Sequence, residues 1–304
     1  MRKNDLLRFV ALTAAATLSA MTLMCIVSCG EKNDRSASDG DKSADTSTAD
    51  SSRASYELES GKYTDGELVY YIESGKASVI KYIGTSKEIT VPSQVDGIPV
   101  SEVSGDAFAD LSSVEKITLP DSVVSIGDFA FSYCTGLKSV TLSKNLSILG
   151  SYVFNHCTSL EECVIPDTVS TLPNSAFYCC TSLKKVTLPN FINSIQKETF
   201  YNCTSLTEIE LPKYVGGIGE NAFASCTGLK KIIAPDSLKD IGKTAFRACT
   251  SLETVDLSAC SGIGIGAKAF ADCSGLKKVI YPSNKGGIDG SAFQNCPDIQ
   301  FVNG

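Results

Sequence analysis

Ile126-Gly-Asp-Phe-Ala-Phe131-Ser-Tyr-Cys134-Thr-Gly-Leu137-Lys-Ser-Val140-Thr-Leu142 is one turn of a pattern that decides the fold. Its phenylalanine recurs on a 23-residue ruler at Phe108, Phe131, Phe154, Phe177, Phe200, Phe223 and Phe246, then at Phe270 after one extra residue, and at Phe293. Three residues after the Phe stands a cysteine, at Cys134, Cys157, Cys180, Cys203, Cys226, Cys249, Cys273 and Cys296, with Leu111 in the first slot. Aliphatic columns follow at six, nine and eleven residues, for example Leu183, Val186 and Leu188. Apolar positions two apart mark a short strand, so Val140 and Leu142 turn inward while Ser139 and Thr141 turn outward. Proline usually follows the strand, as at Pro120, Pro166 and Pro189, and without an amide proton it stops the ladder there. A return arm such as Asp121-Ser-Val-Val-Ser-Ile126 brings the chain back, and Gly127 is expected to permit a tight bend.

A coil of this size cannot bury its own flat faces. Stacked at about 4.8 Å, nine of them pave every column into one core roughly 43 Å long. The fold class expected is a strand-rich solenoid with an ample core, one that needs neither disulfide nor metal to hold it.

The motifs Leu183-Lys-Lys-Val-Thr-Leu-Pro189 and Ile126-Gly-Asp-Phe-Ala-Phe-Ser-Tyr-Cys134 resemble the BspA-like branch of the leucine-rich-repeat family over about residues 88 to 304. That resemblance implies a horseshoe of the α/β class, with parallel strands on the concave side and short turns or 3-10 segments on the convex side. It also implies an adhesive role at a cell surface. Ser143 and Ser258 in place of Pro, and the unit around Ser258 to Ala269, which is longer than the others by one residue, depart from the pattern and suggest a local irregularity in the stack.

The ends are organised differently. Residues 1–28 carry basic Arg2 and Lys3 and an apolar run from about Phe9 to Val27, an export signal. Ser28 before Cys29 resembles a bacterial lipobox, which implies that Cys29 is diacylated and becomes the mature N-terminus; an uncleaved anchor is the alternative, since the run is long enough to span a bilayer. Residues 29–55, rich in Ser and Asp and without an aromatic or a large aliphatic, read as a disordered tether with a reach of roughly 28 Å. Residues 56–103 break the ruler. Their strand-like runs Glu67–Ile72 and Ala77–Ile83 predict an N-terminal β-hairpin cap, with the solenoid proper at 104–304. No comparable cap follows Ile299-Gln-Phe-Val302, so an open final edge could support weak homo-association.

Function is less legible. The 27 basic and 34 acidic side chains give a charge of −7, and without residues 1–28 the balance becomes 24 against 33, or −9; nucleic acid is a poor partner for such a surface. Thirteen cysteines in an exported chain would ordinarily suggest disulfides, but a ladder sets its side chains parallel, where the bridging torsion near 90° is hard to reach. They read as buried small hydrophobes whose S–H groups serve loop carbonyls, and sulfurs in a line do not converge as a tetrahedral metal site demands. His156, the only histidine, occupies a variable loop slot beside Cys157, and Gly262-Ile-Gly-Ile-Gly266 lacks the strand and long helix of a nucleotide loop. No catalytic set, metal or cofactor is nominated. Outward strand positions remain as candidates for gripping a host, matrix or neighbouring-cell protein: Lys116, Glu162, Lys185, Glu208, Glu210, Lys231, Asp256 and Lys278. They are mixed in sign and carry no aromatic row, which suits a protein partner better than a sugar.

Overall fold

The computed structural model describes residues 56–59, 61–282 and 286–304. The signal, lipidation and tether readings for residues 1–55 lie outside them.

The coils stack as the periodicity demands. In-register parallel pairing joins Lys116–Thr118 to Ser139–Thr141, Glu162–Val164 to Lys185–Thr187, Lys231–Ile233 to Thr254–Asp256, and Thr254–Asp256 to Lys278–Tyr281. A second parallel ladder runs down the return arm, from Ser125–Ile126 to Ile148–Leu149 and again from Ser194–Ile195 through Gly217–Ile218 and Asp240–Ile241 to Gly264–Ile265. Between the ladders the phenyl rings form a file with centroids 5.0–5.4 Å apart and planes within 19° of parallel. The eight rings from Phe108 to Phe270 are wholly buried. Each such pair is worth about 0.5–1.5 kcal/mol beyond the area it buries.

The corner that carries the phenylalanines is built from turns, with no helix among the described residues. It conceals a backbone rule that the sequence does not announce. The residues two before and two after almost every Phe lie in the left-handed region without being glycine, among them Phe129 (φ 58°), Tyr133 (58°), Ala248 (58°) and Lys268 (55°). Alternating handedness turns every second amide toward the next coil. Thus Phe129, Phe131 and Tyr133 donate N–H to the carbonyls of Ser151, Val153 and Asn155 at 2.7–2.9 Å. These cross-coil bonds satisfy buried backbone and offset left-handed strain of about 1–2 kcal/mol per residue.

Several local expectations are corrected. Gly127 is required by close approach and not by handedness, because a Cβ there would sit 2.5 Å from the Gly105 nitrogen, and its φ is not left-handed. Pro173 takes the place of that glycine in one coil. Gly127 and Gly219 donate N–H to Val103 and Ile195 in the preceding coil, a bond proline cannot make, and the return ladder breaks there. The strand ladder breaks in another place, at Glu208–Glu210, so two sheets share the face; no side chain there explains the gap. At the last coil Phe301, not Val302, stands opposite Val279 in the inward column, because one residue fewer separates it from Phe293. Its ring meets Phe293 edge-on at 5.5 Å. The extra residue of the long unit falls between Asp256 and Gly264, where Gly262 adopts a φ of 73°.

At the other end, Leu68–Glu73 and Lys76–Tyr82 pair antiparallel across Ser74 and Gly75, both left-handed as a tight hairpin requires. Lys76–Tyr82 then pairs parallel with Ile98–Val103, and Glu88–Thr90 with Lys116–Thr118. Stacking therefore begins before residue 104. Tyr82 even heads the phenylalanine file: its N–H donates to Ala107 at 3.0 Å, as that of Phe108 does to Ala130, and its ring lies 6.4 Å from that of Phe108.

Candidate binding face

Numbering coils from Phe108 as the first, the outward positions of the strands form rows. Lys116, Ser139, Glu162, Lys185, Lys231, Thr254 and Lys278 occupy equivalent points, successive ones paired in register except across the gap at coil 5, where Glu208 stands; Glu210 and Asp256 lie two residues further along their strands. All eight candidate side chains are exposed except Asp256, which is half-buried. They share a face because strand side chains alternate and the stack is in register.

The position just before each strand, absent from the sequence-based candidates, carries charge as well. Glu115 bridges Lys87 at 2.9 Å and Lys138 at 2.6 Å, and Lys184 meets Glu161 at 2.7 Å. Hydrogen bonds from Lys138 and then Lys87 hold the Glu115 carboxyl down to about 2. Of the eight candidates, Lys116 alone joins an ion pair among the described residues, with Glu88 at 3.9 Å.

Taken by coil, the charges sort by sign. Row 3 holds Glu161 and Glu162, row 5 Glu208 and Glu210, and row 7 Glu253 and Asp256; rows 4, 6 and 8 hold Lys184-Lys185, Lys230-Lys231 and Lys277-Lys278. Six coils therefore alternate in pairs of like charge. The signal was present in the sequence at 23-residue spacing but needed both columns to be seen together. Chemically the face offers salt-dependent recognition; lysines neighbour its carboxylates, and no nucleophile with an adjacent base is among them.

The cysteine file has a definite task. Cys134, Cys157, Cys180 and Cys203 donate S–H to the carbonyls of Phe108, Phe131, Phe154 and Phe177 in the preceding coil at 2.9–3.2 Å, and the pattern continues to Cys296 on Phe270 at 3.0 Å. None of the eleven described cysteines is in a disulfide. Burial pushes Cys134 and Cys163 up to about 12. Cys179, adjacent to Cys180 but outside the file, is buried and accepts a bond from the Asn202 amide at 3.4 Å. Among the described residues no group of three or more potential ligands could hold a metal.

His156 is half-buried, stacked on Tyr133 at 4.5 Å, with Nδ1 2.6 Å from the Asn155 amide oxygen; desolvation lowers its pKa. The Cys157 thiol is engaged by Phe131, so the two adjacent residues form no thiol–imidazole pair. Aromatic rows do exist away from the strand face: Phe129 on Tyr152, Tyr178 on Tyr201, and the exposed Phe191 on Tyr214.

A family model described as BspA type leucine rich repeat region (6 copies) matches residues 101–215 and 193–304. Among solved structures, a leucine-rich repeat protein from Bacteroides ovatus is 24% identical over 78% of this chain and 77% of its own, with a TM-score of 0.47. A leucine rich cell surface protein from Faecalibacterium prausnitzii is also 24% identical, over 79% and 87%, with a TM-score of 0.47. A leucine-rich repeat protein from Bacteroides capillosus is 30% identical over 42% of this chain and 97% of its own, with a TM-score of 0.39. No curated protein matches.

Proposed function

The chain belongs to the BspA-type leucine-rich-repeat family, and on that premise we propose that it is an exported, lipid-anchored surface protein that binds protein partners on its strand face. Cys29 is the acylated residue and residues 29–55 the tether. Lys116, Glu162, Lys185, Glu208, Glu210, Lys231, Asp256 and Lys278 make the contacts. The observation that carries this reading is the availability of those charges. They stand exposed on a two-sheet face, Asp256 half-buried, and among the described residues only Lys116 of the eight joins an ion pair. A preorganised, charged, weakly self-neutralised surface lowers the cost of association and speeds encounter.

The test is reversal of Lys185, Glu208 and Lys231 together, followed by binding to a panel of extracellular matrix and surface proteins. Capture should be lost with the circular dichroism spectrum unchanged; unchanged capture removes this face from the account. Radiolabelled palmitate should enter the wild-type chain in a bacterial host but not Cys29→Ser.

A second reading, a self-associating coat component, is favoured by the last strand. Gln300–Asn303 is exposed throughout, and Phe301 stands 55% exposed in a column that is buried in coils 1, 3, 4, 6, 7 and 8.

A further inference from the structure

The geometry points to a second copy of this chain as the occupant of the strand face, docked face to face and antiparallel. This rests on the proposal that the face is a binding surface, and it names what binds there. Like-signed rows recur every second coil, about 9.6 Å apart, and opposite rows about 4.8 Å apart. An α-helix with a 5.4 Å pitch or an extended peptide with same-side residues about 6.8 Å apart drifts out of step with such rows, whereas another stack of identical coils keeps step along its whole length.

Symmetry then selects the arrangement. A two-fold axis lying along the strands between coils 5 and 6 sets row 3 against row 8, row 4 against row 7 and row 5 against row 6, so every row meets its opposite. Such an axis preserves position within the strand. Lys231 faces Glu208 of the second copy, Glu162 faces Lys278, Lys184 faces Glu253, and the exposed Val164 (62%) faces Ile280. A two-fold axis along the stack would set each row on itself, and one passing through a coil would do likewise. Both bring like charges together, which a self-complementary interface forbids.

Alternation also spares each ladder from like-charged neighbours within the chain. That internal benefit does not use up the charges: Lys185, Glu208, Lys231 and Lys278 have no ion pair among the described residues. The six rows span about 29 Å, and a strip roughly 10 Å wide gives a footprint near 300 Å² per copy, well below the ~800 Å² of a standard interface. A single pairing is therefore weak, and adhesion by it depends on many copies acting together. Being antiparallel, the pair places the two first-coil ends, where residue 56 enters, at opposite extremes. That geometry joins two facing surfaces.

The experiment uses beads of two colours carrying the full chain. Wild-type beads should clump at low salt and disperse at about 1 M salt, where the Debye length falls to about 3 Å. A variant with Lys231→Glu and Lys278→Glu should not clump with itself, nor should one with Glu208→Lys and Glu162→Lys; mixed, the two should clump, since each reversed row then meets its opposite. Recovery only in the mixture excludes misfolding as the cause. Wild-type beads that stay dispersed at low salt, a variant that clumps with itself as wild type does, or a mixture that stays dispersed overturns the proposal. If wild-type beads stay dispersed while the first variant loses capture of an extracellular protein that wild type takes, the second copy is refuted and the binding face stands; if capture is also unchanged, both fall.

Discussion

Replacing Lys268 by glycine should stabilise this protein, although glycine ordinarily weakens an ordered chain. Lys268 is exposed at a φ of 55°, two residues before Phe270, and its carbonyl accepts the Ala271 N–H at 3.1 Å. A side chain in that conformation costs about 1–2 kcal/mol, while glycine forfeits roughly 0.5–1 kcal/mol of additional chain entropy. The difference favours Lys268→Gly by about 0.5–1 kcal/mol, because no packed atom is lost. For a chain of this size the melting temperature should rise by about 1–4 °C. Urea unfolding followed by circular dichroism should show a higher midpoint at unchanged slope. Lys231→Gly, on a strand with ordinary backbone angles, should instead lose about 0.5–1 kcal/mol. Lys268→Val should be the worst, since a β-branched residue tolerates that region least. If both glycine variants lose equal stability, the account of the corner as a strained ladder is wrong.

Phe200→Ala, in the middle of the ring file, should cost about 3–5 kcal/mol of unfolding free energy by denaturant titration, while Phe191→Ala, 66% exposed, should cost little. Thiol accessibility separates folded from unfolded: among the eleven described cysteines a disulfide reagent should find at most the half-buried Cys296 reactive in the native protein, and all eleven after denaturation without reductant. Stability should decline in alkali with a definite sign. Cys134 is held neutral up to about 12 against an ordinary value of 9.0, so its contribution is whole below pH 9.0 and drains as pH rises toward 12, measurable as a falling urea midpoint. Glu115 behaves oppositely. Its carboxyl, held at about 2, favours the fold above the ordinary 4.5 and loses that contribution as pH falls toward 2; in Lys138→Gln the Glu115 titration followed by NMR should move upward.

The repeat was legible because one physical cause wrote it many times. Each Phe, Cys and aliphatic column must superpose on its neighbour, so the same residue type returned at the same interval, and pairing, ring file and thiol bonds could all be placed from spacing. What escaped was whatever a column does not force to be one residue. The left-handed positions hold Phe129, Tyr133, Glu198, Ala248 and Lys268, since the cross-coil amide bond fixes the backbone and leaves the side chain free. Tyr82 escaped because it lies 26 residues before Phe108, off the ruler, and only its N–H bond to Ala107 identifies it as a file member. The inward Phe301 escaped for the same reason, a single missing residue that reverses which of two neighbours points into the stack.

The binding face stands between those cases. The candidate residues are exposed as strand alternation predicts, apart from the half-buried Asp256, with Glu208 and Glu210 in the gap between sheets, yet their alternation of sign is incomplete in a single column, because Ser139 and Thr254 interrupt it. With the neighbouring outward positions folded onto the same surface, all six rows from coil 3 to coil 8 resolve into an alternating series. Side chains that merely solubilise a sheet need avoid only like neighbours, and lysine beside serine or threonine would do that equally well. Doubling the charge in each row, coil after coil through six coils, is more than solubility asks, and it is the property that makes the face complementary to itself under one two-fold axis and repulsive under the other.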